Sequence, residues 1–176
     1  MTPVNTVIRS RPTVQDTELR LARWLARHSI AMLRISLGLV FLAFGVLKFV
    51  PGLSPAESLA ADTLDVMTLG LMPERFGLVL VAGLETAIGL LLISGRWLRL
   101  ALALLAVELI GILSPLVLLP GEMFRGAPFA PTLAGQYVLK DIVVGAAGLV
   151  VAAAALGARM VVETPDDRPT TSEGAF

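Results

Sequence analysis

The chain has 176 residues, 56% of them hydrophobic and 16% charged, with 14 basic and 14 acidic side chains and no net charge. A soluble domain carries roughly 25% charged residues, so this is not the composition of one, and a neutral chain has no electrostatic footprint for nucleic acid. With no cysteine it has no disulfide, thiol relay, iron–sulfur cluster or cysteine metal site of its own, and its single histidine, His28, excludes a bis-histidine haem.

The first 28 residues are polar and basic with no short apolar core, so no cleavable signal peptide is expected. Residues 1–15, rich in Pro, Thr, Ser and charge, read as disordered. In Asp16–His28, Leu19, Leu21, Trp24 and Leu25 alternate with arginines, so the segment either lies on the membrane surface or extends the first helix. Four apolar blocks of about the 20 residues a spanning helix needs then follow: Ser29–Val50, Phe76–Ser94, Leu98–Leu119 and Gly135–Gly157. Pro51-Gly52 and Pro120-Gly121 stop the first and third, because proline cannot continue a helix. Gly95 ends the second, and Gly95-Arg96-Trp97 makes a tight hairpin.

Between the first two spans, Ser54-Pro55-Ala56-Glu57 stands in capping-box order. The apolar positions after it predict a short amphipathic helix at the outer interface. The second outer loop, 121–132, with its prolines and two phenylalanines, reads as irregular and packed down. Within the third span Ser114-Pro115 predicts a kink that frees a carbonyl near residue 111. Residues 163–176 again read as disordered. The domains are a tail with an amphipathic segment (1–28), a four-helix transmembrane domain (29–157) and a disordered tail (158–176). The fold class is an all-α membrane protein, a four-transmembrane-helix bundle.

Arginine asymmetry sets the direction. Arg9, Arg11, Arg20, Arg23, Arg27, Arg96, Arg99, Arg159 and Arg168 fall on one side, and Arg75 and Arg125 on the other. Both termini are therefore expected in the cytoplasm, with Trp24 and Trp97 at the inner boundary and Tyr137 at the outer one. The expected location is the cell (cytoplasmic) membrane, crossed four times, with the lipid bilayer as first partner and no nucleic acid.

Six ionisable residues lie inside the spans: Arg34, Lys48, Glu85, Glu108, Lys140 and Asp141. A charge at mid-bilayer costs roughly 2.5–3.5 kcal/mol or more, so such groups face the bundle interior and pair. In each span an ionisable residue shares a helical face with small ones: Arg34, Gly38, Phe41, Gly45 and Lys48; Ala82, Glu85 and Gly89; Ala101, Glu108, Gly111 and Pro115; Asp141, Gly145, Gly148 and Ala152. These four faces are expected to meet in one polar seam. Depth along the helices suggests pairing Lys48 with Asp141, and Arg34 with Glu108 or Glu85, and leaves Lys140 to reach the outer interface. These six are the candidate ligand residues; no metal site and no catalytic set is read.

The stretch from Leu33 to Phe49, Leu-Arg-Ile-Ser-Leu-Gly-Leu-Val-Phe-Leu-Ala-Phe-Gly-Val-Leu-Lys-Phe, resembles the first helix of the DoxX-like superfamily. Its Arg34 and its Gly-Val-Leu-Lys-Phe-Val-Pro ending are closest to the YkgB-type branch, as are Leu84-Glu85 and Val138-Leu139-Lys140-Asp141. The resemblance covers residues 30–160 or so and implies a four-helix membrane protein. It also implies a link to redox or oxidative stress, since the superfamily includes subunits associated with thiosulfate:quinone oxidoreduction and a member linked to reactive-chlorine resistance. Three functions stand open. The first is a membrane component of a redox system that touches the quinone pool, fed with electrons by a partner oxidoreductase subunit because the chain has no intrinsic cofactor motif. The second is a small proton-coupled transporter, acting as a homo-oligomer. The third is a structural subunit whose ion pairs only set helix register.

Overall fold

The computed structural model describes residues 14–126 and 130–162. The disorder expected of 1–13 and 163–176 lies outside the described residues. The described chain is helical: α1 (Val14–Lys48), α2 (Glu57–Thr68), α3 (Glu74–Ser94), α4 (Leu98–Leu113), α5 (Pro115–Leu118), α6 (Pro120–Met123) and α7 (Leu133–Ala155). Four stretches are long and apolar enough to cross a membrane: Asp16–Lys48, Glu74–Ser94, Leu98–Leu118 and Leu133–Ala155. They are the four spans expected from the apolar blocks. Residues 30–158 form one compact unit, and the described residues outside that range are grouped in a second.

In the second unit, helix replaces the disorder expected at Val14 and Gln15, and Asp16–His28 extends the first helix. His28 turns back over one helical turn: its ring stacks on Trp24 with centroids 5.0 Å apart, and Nδ1 lies 2.8 Å from the Trp24 carbonyl oxygen.

The ends of the spans follow the punctuation of the sequence. The first stops at Lys48, ahead of Pro51 and of Gly52 at φ +74°. The third helix ends where Gly95 enters the left-handed region at φ +67° and its N–H closes on the Leu91 carbonyl at 3.0 Å. Proline interrupts the next span at Ser114-Pro115, between α4 and α5. The carbonyl near residue 111 is not left free, however. The Ser114 hydroxyl donates to the Gly111 oxygen at 2.7 Å, a serine bonding back within its own helix.

Two loop expectations change. Ser54 does not cap α2: the N-cap position is Ala56, and the Ser54 hydroxyl is buried without a hydrogen-bond partner among the described residues. The Glu57 carboxylate instead reaches back to the Gly52 N–H at 2.6 Å, because the chain between them turns before the helix begins. In the second loop, α6 and a bridge between Phe124 and Pro131 give order where an irregular run was expected. Met123 is fully buried there and its backbone packs on Gly135, where a Cβ would collide with the Met123 carbonyl oxygen.

The core of the compact unit draws on all four spans: Leu37 and Phe41 from α1, Ile88 and Leu92 from α3, Ala101 and Leu105 from α4, Val151 from α7. Two contacts between helices set the register. A Cβ at Gly89 would lie 2.6 Å from the Leu42 nitrogen and 2.8 Å from the Gly38 oxygen, and one at Gly45 would lie 2.7 Å from the Thr86 nitrogen. The α1 and α3 backbones thus touch over two turns, which only glycine permits. Between α4 and α7, Leu105 and Leu109 seat against Gly148 and Gly145.

Candidate polar site in the bundle

The close approach of α1 to α3 decides which acid Lys48 meets. Gly45 stands one turn before Lys48 and packs against Thr86 and the Glu85 Cβ. From there the Lys48 ammonium reaches both carboxylate oxygens of Glu85, donating to Oε1 at 2.7 Å and to Oε2 at 2.6 Å. Both residues are 5% exposed. The expected Lys48–Asp141 pair is therefore corrected to Lys48–Glu85.

Glu108 and Asp141 complete the cluster without joining that pair. Glu108 is 7% exposed and lies within electrostatic reach of Lys48 and Glu85. Asp141 is half-buried and within electrostatic reach of the same lysine and of Glu85. Among the described residues neither makes a hydrogen bond or an ion pair. Each span thus brings one ionisable group to the cluster: an ammonium from α1 and carboxyls from α3, α4 and α7.

Arg34 lies elsewhere. Its Nη1 donates to the Leu92 carbonyl at 2.6 Å, at the C-terminal end of α3. Leu92 is seven residues past Glu85, a rise of ~10 Å. The negative end of the α3 dipole, with its unsatisfied carbonyls, is the nearer partner for a guanidinium at that level. The expected pairing of Arg34 with Glu108 or Glu85 is thereby replaced by a helix cap. Lys140 also stays out of the cluster: it is exposed, with Nζ 5.0 Å from the centroid of the Tyr137 ring one turn back. Adjacent to Asp141, it points about 100° away from it.

Two residues that the sequence did not single out matter here. Arg75, in the first turn of α3, donates to the Phe49 carbonyl and, at 3.5 Å, to the carbonyl of Lys48 itself. The only hint was a cation placed where the first span had to end. Thr86 follows Glu85, and its hydroxyl is buried without a hydrogen-bond partner among the described residues. Nothing in the spacing marked it.

A family model described as DoxX matches residues 29–119, just over half of the chain. The chain belongs to the DoxX family. The DoxX match takes in Lys48, Glu85 and Glu108 and ends before α7, so Asp141 lies outside it. No curated protein and no solved structure matches the chain significantly. The protein is thus a multi-pass DoxX membrane protein, in which three carboxyls, one from each of the other spans, gather around Lys48.

Chemically, the arrangement offers one fixed pair and two free acids. The bidentate contact occupies both the ammonium and Glu85. Glu108 and Asp141 remain able to accept hydrogen bonds, or to donate when protonated. In a low-dielectric interior an unpaired polar group is costly, which marks these two acids as candidates for function.

Proposed function

We propose that the protein is a membrane component of a redox or oxidative-stress-linked system, of the YkgB-type branch. It sits in the cytoplasmic membrane with both termini inside, and the cluster around Lys48 receives a quinone. The observation that carries this reading is Glu108, a buried carboxyl with no hydrogen bond or ion pair among the described residues, within electrostatic reach of an ammonium in the interior of four apolar helices. A quinone is apolar in its ring and tail and presents two carbonyl acceptors, which suits an apolar bundle interior where the carboxyls not held by Lys48 can donate when protonated. The carboxyls would in turn accept from the hydroxyls of a quinol. Electrons would come from a partner oxidoreductase subunit, because the chain lacks the cysteines that iron–sulfur centres require.

The same cluster bears a second reading. Three acids face one lysine, and a membrane carboxyl without a counter-charge is the usual titrating group of a proton-coupled carrier. Four spans are few for such a carrier, so it would act as a homo-oligomer.

The test is mass spectrometry of small molecules that co-purify in mild detergent, with wild type beside Glu108→Gln and Glu85→Gln. A quinone held by the wild type and lost from the Glu108 variant supports the redox reading. Bulk lipid alone in every sample rejects it. Proton-coupled substrate uptake in liposomes would then support the carrier, and its absence a structural subunit.

A further inference from the structure

The cluster is unequal in a way that quinone binding alone does not require. Glu85 is held by two short bonds from Lys48, whereas Glu108 is equally buried and makes no hydrogen bond or ion pair among the described residues. Asp141, on the neighbouring helix, likewise makes neither among the described residues but is only half-buried. The ionisable groups within electrostatic reach of Glu108 are Lys48 on α1 and Glu85 on α3, and Asp141 on α7 lies within reach of the same two. On its own helix the nearest is Arg99, more than two turns away. One fixed charge pair, one buried free acid and one free acid closer to the surface form a graded series.

We propose that Glu108 is a proton-exchanging group and that Asp141 is its route to the surface of the bundle. The lysine stays committed to Glu85, so it supplies a constant field and does not trade the proton. The proposal deepens the redox reading and rests on it for its purpose: a quinone becomes a quinol by taking two electrons, here from a partner oxidoreductase, and two protons. Glu108 gives up one proton at a time to a quinone oxygen, its O–H bond breaking as the quinol O–H forms. Asp141 then returns a proton from the aqueous side.

The experiment is infrared difference spectroscopy of the purified protein in lipid nanodiscs, with no quinone added. In the wild type, a change of pH or transfer to heavy water should reveal the C=O stretch of a protonated buried carboxyl. Glu108→Gln should abolish that band, and Glu108→Asp, which keeps a carboxyl on a shorter stem, should shift it. A band unchanged in both variants overturns the assignment to Glu108. Should Glu108→Gln fail to fold, the Asp variant decides alone. In Asp141→Asn the Glu108 band should remain but its shift in heavy water should slow; deuteration at the wild-type rate overturns the route. Loss of the redox reading shows separately, as the absence of co-purified quinone from a protein that still has the band.

Discussion

The Lys48 ammonium lies 2.7 and 2.6 Å from the two carboxylate oxygens of Glu85, across the contact where Gly45 brings α1 onto α3. Both ends of the pair are nearly inaccessible. Removing one partner leaves an uncompensated buried charge, which costs about 3–5 kcal/mol, while replacing both by apolar residues costs far less. Lys48→Met alone and Glu85→Gln alone should therefore lower the melting temperature in detergent sharply, and Lys48→Met with Glu85→Leu should recover most of the loss. The reversed pair, Lys48→Glu with Glu85→Lys, should also recover it. Lys48→Asp with Asp141→Lys should not, because it sets an acid against Glu85. Equal recovery by both swaps would show that the pairing is not specific.

The glycines of α1 and α3 carry a second prediction. A methyl group at Gly89 meets the Leu42 backbone, which cannot step aside. Gly89→Ala should destabilise by about 1–3 kcal/mol, the usual cost of overpacking. At Gly111 a Cβ would meet nothing within 4 Å. Gly111→Ala should be neutral or gain up to about 1 kcal/mol from helix propensity. Thermal unfolding of the two variants side by side checks the contrast, and equal losses would mean that α1 and α3 are not in backbone contact.

Arg34 and Arg75 form a reciprocal device. Arg34, on α1, covers the last carbonyls of α3, and Arg75, on α3, covers the last carbonyls of α1. A cation at a helix C-terminus contributes about 0.3–1 kcal/mol when exposed and up to ~2 kcal/mol when partly buried. Arg34 is partly buried, so Arg34→Ala should fall toward the upper end and Arg75→Ala below it. Gly95→Ala should reproduce the Arg34 defect, since its Cβ would collide with the guanidinium at a residue already in the left-handed region. An Arg34→Ala variant as stable as wild type would show that the cap contributes nothing to the fold.

Much of this fold was legible because the bilayer forces it to be. Four apolar blocks of spanning length, punctuated by Pro51-Gly52, Gly95 and Ser114-Pro115, have one helical solution. The faces that share small and ionisable residues were readable for the same reason: Gly38, Gly45, Glu85, Gly89 and Glu108 are all buried. The pairing was not readable. Depth along a helix axis ranks partners by level and says nothing about which backbones lie closest. Here a glycine contact put Glu85, not Asp141, within reach of Lys48. Arg34 was not legible either, because helix spacing marks side-chain acids as partners and does not mark the open carbonyls at the end of α3, which offer negative charge at the right level. The Ser54 cap failed because its motif presumes that the helix starts immediately, and the chain first turns at Pro55-Ala56.

Glu108 separates chemistry from architecture. Lys48 is committed to Glu85, so removing Glu108 breaks no hydrogen bond and no ion pair among the described residues. Burying a polar group without a partner costs roughly 1–3 kcal/mol in proteins. Glu108→Leu, close in volume and apolar, should therefore raise the melting temperature, whereas Glu85→Leu with Lys48 intact should lower it. The two glutamates sit on neighbouring helices and are equally buried, so opposite signs cannot come from exposure. A stabilised Glu108→Leu that no longer retains a quinone or supports oxidant resistance would mean that the carboxyl is kept at a cost to the fold, as functional groups commonly are. A destabilised Glu108→Leu with unchanged retention and resistance would place Glu108 among the groups that hold the helices in register, and the polar cluster would then be architecture.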